Sequence, residues 1–398
     1  MDLTIFPRQL SGTIRAIPSK SQAHRLLICA AFSNKSTFLE CPQTNEDIEA
    51  TVSCLCALGA NITREQDGYH IIPVTDIPNT AVLHCGESGS TLRFILPITC
   101  ALGVNATFVL KGRLPYRPLS PLWEELERMG CTLTRPTENT IQSTGKLHAG
   151  NFSISGNVSS QFISGLLFAT ALMKGTSTIT ITGALESKPY VEMTQSALKI
   201  FGVDTDNFQT SGSCPFSTPG KFAVEGDWSN AAFFLTAAAL GSTVEVTNLN
   251  PDSPQGDRAI ADILTIAETM PHISAADIPD LVPIMAVYFG AKHGAVFTNI
   301  TRLRLKESDR VASVCKMMEQ LGVQVISSEN TMTVFSGKYH SCTIDAAGDH
   351  RIAMAGAIAA SIADGPVTIK GAECVAKSYP SFWEEYQKLG GHYEQYLR

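Results

Sequence analysis

GDHRIAMAGAIAASIADGPVTIKG, from Gly348 to Gly371, places a polar turn, an Ala-rich apolar helix, a Gly-Pro break and a short β-branched strand in succession. Five other segments share that layout. They are IPSKSQAHRLLICAAFSNKSTFLE from Ile17, GESGSTLRFILPITCALGVNATFVLKG from Gly86 and GNVSSQFISGLLFATALMKGTSTITITG from Gly156. EGDWSNAAFFLTAAALGSTVEVTN from Glu225 and DIPDLVPIMAVYFGAKHGAVFTNI from Asp277 complete the set. A helix that is apolar nearly all round has no face to offer water, so all six belong inside the fold.

A second, amphipathic helix is expected after each strand. Five of these end in an aromatic residue, Leu or Met followed by Gly, in ALGANIT, RMGCTLT, IFGVDT, QLGVQVI and KLGGHYE. Gly there is the usual helix C-cap, and the residues beyond it alternate as a strand does. Six sheet-and-two-helix units with buried central helices define an α/β protein with its sheets outside. That reverses a doubly wound fold, in which the strands are the apolar runs. Solenoid repeats are shorter, about 20–47 residues, and their turns are less divergent than these. With 398 residues, the chain exceeds the roughly 250–300 that one core supports. Two domains of three units each follow.

Composition narrows the function. A net charge of −7 argues against a nucleic-acid partner, which needs a basic face, but leaves room for a local cluster of cations. The eleven cysteines are odd in number and include no CxxC pair, so they read as reduced core residues of a cytoplasmic protein. Nine histidines form no HExxH or HxH pair, and no metal site is expected. MDLTIFPRQL lacks the pattern of a signal peptide, and no apolar run nears the roughly 18 residues that span a membrane.

The turn before each buried helix carries conspicuous polar residues: Lys20, Ser21 and Arg25; Glu87, Gly89, Ser90 and Arg93; Ser159, Ser160 and Gln161; Asp227 and Ser229; Asp280; Asp349, His350 and Arg351. N-capping accounts for Ser159, Asp227 and Ser229. It does not account for Lys20, Arg93 or Arg351, because a cation at a helix N-terminus opposes the macrodipole. An anion beyond the helix starts would resolve the conflict, held by free backbone N–H groups together with Lys and Arg. Three further basic stretches occupy turns between a strand and a second helix: KGRLPYRPL around Arg117, RLRLKESDR from Arg302 to Arg310, and AKSYP with Lys377. Charge placement alone leaves two readings open, a shared anion site and a scattered surface set.

PSKSQAHR, GESGSTLRF, NVSSQFISGLL, SKPYVEMT, EGDWSNAAFF, DIPD, LKESDR, GDHRIAM and AKSYPSFWEEY follow one another over essentially the whole chain. In that order they resemble the signatures of the enolpyruvyl transferases, in particular the branch acting on shikimate 3-phosphate. The resemblance implies a two-lobed inside-out α/β barrel, with one lobe at 18–224 and the other at 1–17 plus 225–398. It also implies the reaction, in which the 5-hydroxyl of shikimate 3-phosphate attacks C2 of phosphoenolpyruvate and the tetrahedral intermediate expels phosphate.

By matched position, the resemblance makes Asp280 the base and Glu307 the acid, with Lys20 sharing a catalytic role. It assigns phosphoenolpyruvate to Lys20, Gly89, Arg117, Gln161, Arg310, Arg351 and Lys377, the two arginines gripping the carboxylate. It assigns shikimate 3-phosphate to Ser21, Arg25, Ser159, Ser160, Gln161, Ser187, Asp280 and Lys306. Arg93, Arg302 and His350 are further candidates, and His350 reads equally well as an orienting residue. No cofactor is implied, and a cytoplasmic monomer without nucleic-acid or membrane partners is expected. Three positions depart from the family pattern: Glu87 and Arg302, each in place of an Asn, and Phe94 after Arg93. A sister transferase using UDP-N-acetylglucosamine has a cysteine where Gly112 stands here. A relative acting on RNA ends, and a non-catalytic binder of phosphorylated metabolites, are the remaining alternatives.

Overall fold

The computed structural model describes residues 1–212 and 215–396. Residues 213–214 and 397–398, which the expected lobe ranges include, lie outside the described residues. The chain divides into two compact units, Pro18–Glu225 and Met1–Ile17 with Gly226–Arg398. Each unit has its own hydrophobic core.

The repeat is clearest at residues 80–145. Strand Thr80–Gly86 leads through a buried helix to Asn105–Leu110, which lies parallel to it. Helix Leu122–Arg128 then leads to a hairpin of Cys131–Thr137 and Thr140–Gly145, whose second strand pairs antiparallel with Asn105–Leu110. The buried helices are α1 (Lys20–Ala31), α2 (Gly89–Leu102) and α3 (Ser160–Leu172) in the first unit. In the second they are α4 (Trp228–Ala239), α5 (Val282–Ala291) and α6 (His350–Ala360). Every residue of α5 from Val282 to Gly290 is buried, as an apolar circumference requires. By contrast, strand Thr80–Gly86 alternates between exposed and covered positions, one sheet face meeting solvent.

Gly59, Gly130, Gly202, Gly322 and Gly390, the five expected helix terminators, all have positive φ. Within the first unit α2 and α3 pack along each other, and helices Glu46–Ala57 and Lys188–Ile200 each touch α1. Within the second, α4, α5 and α6 all contact one another.

Two features differ from six equal copies. In the first unit Lys221–Ala223 lies parallel to Thr37–Glu40 as the leading strand of the first copy, and in the second unit Asp2–Phe6 fills an inner place beside Val367–Lys370. These strands come from the far end of their unit's sequence, so one sheet in each unit is completed by a distant segment. The fourth copy is reduced to the two strands Ser11–Arg15 and Thr243–Thr247, with a second helix of one turn, Ile260–Ile263. Pro251, Pro254 and Gly256 break that stretch before a helical period can establish itself. Among the described residues no helix is long and apolar enough to cross a membrane.

α2 and α3 approach closely at Gly165, where an added Cβ would lie 2.2 Å from the Arg93 carbonyl oxygen and 3.1 Å from Pro97 Cγ. Backbone cannot yield as a side-chain tip can. Gly165→Ala is therefore expected to destabilise the protein by about 1–3 kcal/mol through overpacking, despite Ala's better helix propensity. Urea denaturation measures this, and an unchanged or raised midpoint would contradict such tight packing of α2 on α3.

Candidate active site

In the second unit three helix starts meet around buried charge. Asp227 caps α4 by accepting the Asn230 N–H at 2.8 Å, and Asp349 caps α6 by accepting the Arg351 N–H at 3.0 Å. Asp349 also accepts from Arg310 Nε at 3.0 Å and from the Ser308 hydroxyl at 3.1 Å. Arg310 is 0% exposed and reaches two more carboxylates, Asp280 Oδ1 through Nη1 at 2.7 Å and Glu307 Oε2 through Nη2 at 2.7 Å. Asp280, just before α5, further accepts from Arg351 Nη2 at 3.0 Å and Lys306 Nζ at 3.4 Å. Burial alone would raise the Asp280 carboxyl, but Arg351, then Lys306 and Arg310, outweigh it and hold the group well below the usual carboxylate range. Burial lowers the Lys306 ammonium, with Asp280 opposing it.

Ser229, read as a cap from sequence, does not cap α4. Its hydroxyl donates to the Asp257 carboxylate and accepts from Arg351 Nη2 at 3.2 Å. The Asp257 carboxyl is pushed up to about 6, by burial first and then by Asp280, with Arg351 opposing.

The first unit carries the second cluster. Lys20, the first residue of α1, pairs with the mostly buried Asp47 at 2.9 Å. Asp47 is tied through its carbonyl to Thr91 at the start of α2 (3.4 Å). Gln161, at the start of α3, donates to Ser90 Oγ at 2.9 Å and accepts from Arg93 Nη1 at 2.9 Å. A Cβ on Gly89 would lie 2.6 Å from Arg93 Nη1 and 2.7 Å from Arg117 Nη1, so two guanidinium groups converge on this backbone. An oxyanion is the ligand such a pairing favours. Glu87 occupies the open side of Gly112, where a Cβ would fall within 1.4 Å of its Oε1.

Arg25 is buried and donates to Thr194 Oγ1 at 2.7 Å, the Ser21 carbonyl at 2.6 Å and the Tyr190 carbonyl at 2.7 Å. Ser159 caps α3 through the Gln161 N–H at 3.3 Å, and Ser160 is buried beside it. Ser187, at the N-cap of Lys188–Ile200, has φ 54°, a left-handed conformation uncommon for Ser. His350 is buried at the first position of α6. Arg117, Arg302 and Lys377 stand on or beside the 3₁₀ turns Leu114–Tyr116, Thr301–Leu305 and Ala372–Lys377, in the stretches the sequence reading placed in turns.

The structure thus collects Asp280, Lys306, Glu307, Arg310 and Arg351 in one network, and Gly89, Arg93, Arg117 and Gln161 in another. Sequence reasoning missed Asp47 and Asp257. Asp47 sits among the acids of TNEDIE and resembles first-turn dipole compensation, while Asp257 lies in the turn-rich PDSPQGD. Neither spacing signals a partner.

Solved structures place the fold among the enolpyruvyl transferases. An EPSP synthase from Acinetobacter baumannii superposes with a TM-score of 0.80 at 22% identity, covering 99% of this chain and 100% of that one. The enolpyruvyl transferase NikO from Streptomyces tendae gives a TM-score of 0.78 at 17% identity, covering 99% and 98%. The profile of the EPSP synthase (3-phosphoshikimate 1-carboxyvinyltransferase) family matches residues 6–386. A 3-phosphoshikimate 1-carboxyvinyltransferase of Clostridium beijerinckii is 35% identical, over 99% of both chains. The chain belongs to the EPSP synthase family and is an enzyme.

Beside Lys20, His24 is fully buried, with Nδ1 2.7 Å from Thr51 Oγ1. Burial drives its imidazolium down to about 3, Lys20 and Arg25 adding to the effect and Asp47 opposing it. A histidine depressed in the folded state leaves the unfolded chain holding the extra proton below about pH 6.5, so stability falls on acidification. Between pH 7 and pH 4 this one group is expected to remove about 3 kcal/mol. Urea denaturation of His24→Asn at both pH values should show a drop smaller by that amount; an equal drop in the variant would rule out the buried neutral imidazole.

Proposed function

We propose that the chain transfers the enolpyruvyl group of phosphoenolpyruvate to the 5-hydroxyl of shikimate 3-phosphate, as the shikimate pathway to aromatic amino acids requires. The observation carrying this reading is Asp280, a carboxylate held between Lys306, Arg310 and Arg351 with Glu307 on the same guanidinium. Asp280 takes the hydroxyl proton as the oxygen bonds to C2, and Glu307, with Lys20, supplies a proton to the methylene carbon. The tetrahedral adduct then returns a methyl proton as the C–O bond to phosphate breaks, leaving an enol ether and inorganic phosphate.

Lys20, Arg117, Gln161, Lys377 and the Gly89 N–H hold the phosphate that departs, and Arg310 and Arg351 the carboxylate. Ser159, Ser160, Gln161 and Ser187 receive the 3-phosphate of the acceptor. Ser21, Arg25 and Lys306 receive its carboxylate and hydroxyls, with Arg93, Arg302 and His350 as further polar contacts. A carboxylate gripped by three cations is a weak base. Asp280 regains basicity when Arg310 and Arg351 turn donors toward the substrate carboxylate, which ties proton abstraction to a filled site. The reading includes a cytoplasmic monomer, lobes at 18–224 and at 1–17 plus 225–398, no cofactor, and no nucleic-acid or membrane partner.

Phosphate release measured with phosphoenolpyruvate and either shikimate 3-phosphate or UDP-N-acetylglucosamine tests the acceptor; release with the sugar nucleotide alone would overturn it. Asp280→Ala is expected to bind both substrates within a few-fold of the parent while turnover falls about 10²–10⁴-fold. Turnover equal to the parent would instead favour a non-catalytic binder.

N-Phosphonomethylglycine, a phosphonate carrying a carboxylate as phosphoenolpyruvate does, should compete at the Gly89 pocket. Gly89→Ala sets a methyl against Arg93 and Arg117 and is expected to weaken that competition at least tenfold in steady-state inhibition assays. Undiminished inhibition of the variant would remove the two arginines from the pocket.

A further inference from the structure

Arg351 carries its guanidinium at the start of α6, where a cation faces the positive end of the helix dipole, so something must hold it there. Asp280 is one anchor, accepting from Nη2 at 3.0 Å. In the reading above, Asp280 is also the base, and its bond to Arg351 has to loosen when substrate arrives. An anchor that takes no part in proton transfer is therefore needed to keep Arg351 aimed.

Ser229 and Asp257 stand where that anchor belongs. Ser229 Oγ accepts from Arg351 Nη2 at 3.2 Å and donates its single proton to the Asp257 carboxylate. A hydroxyl has one hydrogen, and an ionised carboxylate can only accept. With its proton committed to Asp257, Ser229 must present a lone pair to Arg351. Both residues are rigidly placed. Ser229 lies in the first turn of α4, and Asp257 is 3% exposed on the short turn Gly256–Ala259. That turn packs against α4, and Gln255 just before it donates to the Gly226 carbonyl at 2.8 Å and accepts the Trp228 N–H at 3.1 Å. The reduced fourth copy of the repeat has thus kept the one segment that brings a carboxylate beneath the start of α4.

We infer that Asp257 and Ser229 are positioning residues that act in series, orienting Ser229's lone pair and through it the Arg351 guanidinium that receives the phosphoenolpyruvate carboxylate. The inference rests on the proposed role of Arg351. Neither residue touches the reacting atoms. Both act on a contact made alike in the ground and transition states, so their loss raises KM for phosphoenolpyruvate and leaves kcat nearly unchanged.

A double-mutant cycle on the full-length enzyme tests this, with initial rates of phosphate release and thermal melting for Ser229→Ala, Asp257→Ala, the double variant, Asp257→Asn and Arg351→Ala. Each single alanine variant at 229 or 257 is expected to raise KM for phosphoenolpyruvate about tenfold, with kcat within threefold and KM for shikimate 3-phosphate unchanged. Residues in series give a double variant no worse than either single, about tenfold rather than about a hundredfold. Asp257→Asn keeps an acceptor in place and should recover most of the loss; together with Ser229→Ala it also serves if Asp257→Ala does not fold. A multiplicative double variant, or an unmoved KM in the singles while Arg351→Ala raises it, overturns the inference and leaves the role of Arg351 standing. An unmoved KM in Arg351→Ala overturns both.

Discussion

Arg310 is fully buried and surrounded by three carboxylates, Asp280, Glu307 and Asp349. A guanidinium and carboxylates taken out of water cost several kcal/mol each, repaid only when geometry is good and every donor is used. Here the geometry comes from the fold. Asp349 is fixed as the cap of α6, Asp280 by the turn into α5, and Arg310 by the start of helix Arg310–Gln320. The arrangement ties the starts of α6 and of helix Arg310–Gln320 to the turn into α5.

Both units solve the same electrostatic problem by the same means. Cations at helix starts are unfavourable by the macrodipole, and sequence alone pointed to an anion outside the protein. The structure supplies internal anions as well: Asp47 for Lys20, and Asp280 and Asp349 for Arg310 and Arg351. Under the proposed function, these carboxylates of the protein stand where carboxylate and phosphate oxygens of the substrates would be received. At Gly89, Arg93 and Arg117 converge on the backbone, and Arg93 also donates to the amide oxygen of Gln161.

Much of the fold was legible because its central helices break a common rule. A helix such as Val282–Ala291, apolar on every side, can only be interior, and six of them at similar spacing declare a repeat. Gly59 and its four counterparts marked helix ends by a conformation other residues avoid. The pairing of Asp2–Phe6 and Lys221–Ala223 was not legible, because pairing between distant segments leaves no local period. Lys20 and Arg351 stood out in the sequence as cations in the wrong place. Asp47, which pairs with Lys20, and Asp257, which accepts from Ser229, did not, for they sit in stretches where an acid needs no special reason.

The central claim is that substrate oxygens take over bonds now made by the protein's own carboxylates. A crystal structure with phosphoenolpyruvate and shikimate 3-phosphate bound to the Glu307→Gln enzyme, which the proposed role of Glu307 expects to be slow, tests it most directly. The account expects the phosphoenolpyruvate carboxylate on Arg310 and Arg351, with Asp280 turned to the acceptor's 5-hydroxyl. Both arginines still fully engaged with Asp280, and the carboxylate bound elsewhere, would contradict it.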